Sequence, residues 1–151
     1  MLIYVDLEHR WLETDDSDLW QQTLQNRLRE KYRFEAMTGQ PCLIVRYDQV
    51  HPALLDSLNI TAVLVSGNHT PFEHYSVGDL AGLRGIFHRA RWPTIGFCGG
   101  LQVMASTYGA PIGPIGQQPA TDGSAVRIEE NGFLPITVHS GHPLLSGLTE
   151  Q

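Results

Sequence analysis

Four short apolar runs, at residues 2–5, 42–45, 62–65 and 94–97, constrain the fold more than anything else in this chain. Each is apolar almost throughout instead of alternating, the pattern of a strand covered on both faces. Helical periods lie between them. Trp20, Leu24 and Leu28 recur every fourth residue, and Asp15, Asp16 and Ser17 stand where helix caps belong. Residues 51–58 suit a short helix, and Leu80, Leu83, Phe87 and Ala90 form a second stripe. Leu101, Met104, Ala105 and Tyr108 form a third, with Gly109 as its stop. Strands alternating with helices predict a three-layer α/β fold around a mostly parallel sheet. Such sheets carry their sites beyond the carboxyl ends of the strands. Asp6, Ser66-Gly67-Asn68 and Cys98 all fall at such ends, so the pattern gathers them on one rim.

At 151 residues the chain reads as one domain, 1–151, with enough material for a core. A net charge of −6 without any basic run argues against a nucleic acid or an anionic membrane surface as partner. No apolar stretch approaches a bilayer span, and Asp6 arrives too early for a signal peptide. The two cysteines, Cys42 and Cys98, are too few for a disulfide framework or a zinc site, which points to a reducing cytoplasm and no metal. Cys42 opens an apolar run and reads as core. After Gly109 the style changes. Residues 111–119 read as loop, and Val126 and Ile128, then Leu134, Ile136 and Val138, alternate around Asn131-Gly132. That pattern predicts a C-terminal antiparallel β-hairpin.

The chemistry concentrates in Gly96-Phe97-Cys98-Gly99-Gly100-Leu101-Gln102, between the fourth apolar run and a helical stripe. Small residues two places either side of a nucleophile are what a tight strand-to-helix turn requires. Gly96 and Gly100 meet that need. A thiol at this turn sits at a helix N-terminus, where partial positive charge favours the thiolate. The N–H of Gly99 is then free to meet an oxyanion.

This stretch resembles the G-x-C-x-G-x-Q motif of class I glutamine amidotransferase domains, matched at Gly96, Cys98, Gly100 and Gln102. Val65-Ser66-Gly67-Asn68 is similar to the family's glycine-containing oxyanion loop after the third strand. The phrase from Gly141 to Leu148 is similar to a segment downstream of the motif. The resemblance implies a flavodoxin-like sheet and release of ammonia from glutamine through a glutamyl thioester. It implies Cys98 as nucleophile, the N–H groups of Gly99 and Asn68 as oxyanion hole, and Gly67 and Gln102 as contacts to substrate. It implies no cofactor, glutamine as substrate, and a synthase subunit or domain as the receiver of ammonia.

A cysteine amidase also needs a base, which in that family is a His followed two residues on by Glu. None of the seven histidines (His9, His51, His69, His74, His88, His139 and His142) has that follower. The expectation is therefore a domain truncated before its His-x-Glu. Three readings stand: such a glutaminase domain, a catalytically incomplete binding or regulatory module, and a cysteine hydrolase of the γ-glutamyl hydrolase type. His69 or His74 as a substitute base is a further option. Asp6 is expected to cap the segment that follows it, His139 and His142 to have no chemistry, and Met104 and Tyr108 to pack in the core.

Overall fold

The computed structural model describes residues 1–14, 18–113, 117–119 and 125–127. Strands β1 (Leu2–Asp6), β2 (Cys42–Arg46), β3 (Ala62–Val65) and β4 (Thr94–Gly96) form one sheet in the order β2-β1-β3-β4. Every pairing in it is parallel. This is the order of flavodoxin-like sheets, with the chain reversing direction of travel between β1 and β3. The register sets Val5 beside both Val45 and Val65, and Val65 beside Gly96. Asp6, Ser66 and Phe97 therefore leave the sheet on the same edge.

Helices α1 (Asp18–Thr38), α2 (Pro52–Asp56), α3 (Ala81–Arg89) and α4 (Gly99–Thr107) connect or follow the strands. Local chemistry explains their ends. His51 Nδ1 accepts the Leu54 N–H at 3.2 Å, and Pro52 in the first turn has no N–H to leave unpaired. Ala90 adopts a left-handed conformation that closes α3, and Gly109, at φ +85°, follows α4 as expected of a stop.

The sheet's two faces follow from strand alternation. Ile3, Val5, Val63 and Val65 point to one face and pack with Leu55, Leu83, Ile86, Phe87 and Val103 from α2, α3 and α4. Leu2, Tyr4, Cys42 and Leu64 point to the other, against Phe34 of α1. Cys42 is core, as its sequence setting implied.

Two stripes read from the sequence are corrected. Leu24 and Leu28 of α1 are exposed, and the helix instead buries Thr23 and Arg27. The sheet-facing side is rotated by about one residue because a buried arginine, not a leucine, meets the strand ends. Tyr108 is likewise exposed, its hydroxyl donating to the Phe87 carbonyl at 2.6 Å, while Val103 takes the core position of α4.

The chain divides into a unit over Met1–Ile112 and a second over Gly113–Gln151. In the second, β5 (Gln117–Pro119) pairs antiparallel with β6 (Ala125–Arg127), so part of the stretch read as loop is strand. The Asn131-Gly132 hairpin, the caps at Asp15, Asp16 and Ser17, and His139 and His142 lie outside the described residues. Among the described residues no helix is long and apolar enough to cross a membrane.

Candidate functional site

Phe97 leaves β4 with its N–H on the Val65 carbonyl at 2.9 Å, and α4 begins two residues later. The chain must reverse within Cys98. It does so at φ +48° and ψ −114°, a conformation outside the left-handed well that L-residues occasionally visit. Holding a side chain there costs of order 1–3 kcal/mol and is typical of functional positions. The thiol is free and exposed.

The packing of this turn explains its glycines. A Cβ on Gly96 would lie 2.6 Å from the Gly100 carbonyl carbon and the Leu101 nitrogen. One on Gly100 would lie 2.6 Å from the Val65 carbonyl oxygen and 2.8 Å from that of Ser66. The first turn of α4 thus rests directly on the backbone at the end of β3, where no side chain fits. This brings the loop after β3 against the thiol. A Cβ on Gly67 would meet Cys98 Cβ at 3.2 Å and Sγ at 3.7 Å, and one on Gly99 would strike Asn68 Oδ1 at 1.7 Å. Gly67, Asn68, Cys98 and Gly99 therefore form one contiguous patch.

The loop at 66–70 is tied down almost completely. Ser66 N–H donates to the Val5 carbonyl, and Ser66 Oγ receives the Leu7 N–H at 2.9 Å. The Gly67 carbonyl accepts from Arg27 Nη2 and from Ser66 Oγ, each at 2.8 Å. Asn68 Nδ2 donates to the Thr70 carbonyl at 2.6 Å. The Glu8 carboxylate receives the His69 N–H at 2.7 Å, the Thr70 N–H at 3.1 Å and the Thr70 hydroxyl at 2.7 Å. Burial works against the Glu8 charge, but these donors outweigh it and hold the carboxyl below its ordinary range. Among the described residues, the N–H groups of Asn68 and Gly99 have no hydrogen-bond partner.

Arg27 is the anchor on the other side. Its Nε donates to Asp6 Oδ1 at 2.8 Å, and Nη1 lies 3.2 Å from Glu30 Oε2 and 3.4 Å from the Tyr4 hydroxyl. Burial penalises the guanidinium, yet Asp6 beside it raises its pKa further. Burial and the hydrogen bond to Glu30 push the Tyr4 hydroxyl up as well. Asp6 Oδ1 also accepts the Glu8 N–H at 3.1 Å, which is the capping of the following segment expected from the sequence. Sequence reading missed Arg27 and Glu8. The available signal was Asp6 itself, since a carboxylate ending an apolar strand needs a buried cation.

Gln102 begins the second turn of α4, its N–H on the Cys98 carbonyl at 3.1 Å. Its side chain lines a cavity of about 350 Å³ with Phe72, Tyr75, Leu80, Arg84 and Val103. Cys98, Gly67 and Asn68 do not line that cavity, so it lies beside the thiol patch and not over it. His69 Nδ1 stands 3.0 Å from Glu8 Oε2, and His74 stacks on Trp11. Among the described residues no side chain hydrogen-bonds the Cys98 thiol, and no three His, Cys, Asp or Glu side chains converge to hold a metal. Comparisons with family models, curated proteins and solved structures found no match.

Proposed function

We propose that this chain carries the attacking half of a class I glutamine amidotransferase site. The observation that carries the reading is the backbone of Cys98, an exposed thiol held at φ +48° where a strand turns into a helix. Strain at a solvent-facing thiol has no packing use, and it suits a nucleophile presented to substrate. The N–H groups of Gly99 and Asn68, which have no hydrogen-bond partner among the described residues, support the same reading.

In this mechanism Cys98 Sγ bonds to the side-chain amide carbon of glutamine, and the carbonyl electron pair moves onto oxygen. The N–H groups of Gly99 and Asn68 hold that oxyanion. Its collapse breaks the C–N bond, and the nitrogen leaves as ammonia carrying the proton that the thiol gave up on attack. Water then cleaves the glutamyl thioester to glutamate and regenerates the thiol. Gly67 leaves room for the substrate amide, and Gln102 contacts the amino-acid end. The ammonia passes to a synthase partner, in a reducing cytoplasm that keeps the thiol free. The same turn and loop also suit a second reading, a binding module that holds glutamine without turning it over.

The chloroketone analogue of glutamine tests the amidotransferase reading of Cys98. Its thiol addition needs an oxyanion but no leaving ammonia. The full chain is expected to gain one adduct, on Cys98, at a saturable rate that free glutamine slows. Cys98→Ala is expected to gain none. A rate linear in reagent and indifferent to glutamine would overturn the amidotransferase reading.

A further inference from the structure

We infer that Arg27 is a positioning residue for the oxyanion hole: clamped by Asp6, it locks the Gly67–Asn68 peptide in the one orientation that presents the Asn68 N–H. The inference rests on the reading of Cys98 given above.

The Gly67 carbonyl and the Asn68 N–H belong to one trans peptide unit and point in opposite directions. Whatever holds the carbonyl therefore aims the N–H. Two donors hold it, Arg27 Nη2 and Ser66 Oγ, each at 2.8 Å. The need for a lock follows from the site's own packing. Contact with Cys98 leaves no comfortable room for a Cβ at residue 67, so the position is glycine. Glycine is also the residue whose neighbouring peptides rotate most freely. Neutral side chains exposed to water would restrain that rotation weakly. A buried guanidinium does so strongly, because rotation of the peptide strands one of its N–H groups without an acceptor.

Arg27 is itself immobilised. It is 7% exposed, its Nε is fixed by Asp6 at 2.8 Å, and its Nη1 is fixed by Glu30 and Tyr4. Every edge of the guanidinium is thus engaged, and the edge left for the Gly67 carbonyl cannot turn elsewhere. The chain from Asp6 through Arg27 to the Gly67 carbonyl links the carboxyl ends of β1 and β3 through α1. It sets a backbone donor without touching substrate.

Two thiol reagents test this on the full chain. The glutamine chloroketone adds sulfur to a carbonyl carbon, passes through an oxyanion, and ends as a thioether with loss of chloride and the thiol proton. Iodoacetamide displaces iodide at a saturated carbon and forms no oxyanion. Arg27→Met is expected to slow chloroketone labelling of Cys98 by about ten- to a hundredfold, with iodoacetamide labelling unchanged. Arg27→Lys, which keeps the charge but not the fork, is expected to fall between wild type and Arg27→Met. If Arg27→Met does not fold, Arg27→Lys carries the test through the same ratio of rates. A ratio unchanged from wild type, in whichever variant folds, overturns the positioning role. Equal slowing by both reagents does so too. A wild-type chain that the chloroketone labels without saturation overturns the reading of Cys98 instead, and the role of Arg27 falls with it.

Discussion

Cys98 carries a backbone conformation that its own side chain disfavours, and that conflict can be measured. Its φ of +48° and ψ of −114° lie in the mirror of the extended region, open to glycine and closed to alanine. Cys98→Gly should therefore relieve strain of about 1–3 kcal/mol, against about 0.4–1 kcal/mol lost to the freer unfolded chain. The expected balance is a gain of roughly 1 kcal/mol over Cys98→Ala in urea unfolding. A glycine variant no more stable than the alanine variant would show that the turn is relaxed. Gly100 gives the opposite sign. Its added methyl would press on the Val65 and Ser66 carbonyls, so Gly100→Ala should destabilise by about 1–3 kcal/mol. The glycines and the cysteine were legible in the sequence because a tight turn leaves a spacing. The strain was not, because φ is set by where α4 lands on β3.

Between β3 and the turn at Phe72–His74, the loop 66–70 has almost no regular structure of its own and borrows order from Glu8. The Glu8 side chain is 1% exposed, so its hydrogen bonds are not shared with water. Glu8→Gln keeps the shape but loses the charge that makes these bonds strong, and should cost about 1.5–3 kcal/mol at neutral pH. The pH dependence has a definite sign. The folded carboxyl titrates below its ordinary value, so its contribution is complete above that value. It is lost as pH falls through the lower, folded value. The stability gap between wild type and Glu8→Gln should accordingly narrow in acid and stay flat above about pH 6. A gap that is constant with pH would mean the carboxylate is not what ties the loop. Little of this element was readable beforehand. Ser66-Gly67-Asn68 marks a turn after a strand, but the partner for its N–H groups comes from beyond β1, and only folding sets the two side by side. The same holds for α1. Its leucines suggested one face, and the requirement to pair Asp6 with Arg27 selected another.

At the scale of the whole sheet, a mostly parallel sheet was readable because strands buried on both faces leave short, unbroken apolar runs between helical stripes, whereas the order β2-β1-β3-β4 is set by packing that no run of residues records. What those runs conceal is that the two faces differ. On one, Ile3, Val5, Val63, Val65, Leu55 and Leu83 are all fully buried. On the other, Leu64 packs against Phe34, while its register neighbour Ile95 is 51% exposed and Phe97 is 43% exposed. An apolar strand predicts burial on both sides only if both sides are equally covered, and here β4 is covered on one. Stability should therefore follow the face and not the hydrophobicity of the residue. Leu83→Ala empties a site with no access to solvent and should cost about 2–5 kcal/mol. Ile95→Ala removes a similar side chain that already keeps half its surface in water, and should cost about 1 kcal/mol or less. Urea unfolding of the two variants decides the point, with tryptophan fluorescence and circular dichroism compared to confirm a single transition. Comparable losses would mean that the face toward α1 is covered as tightly as the face toward α3.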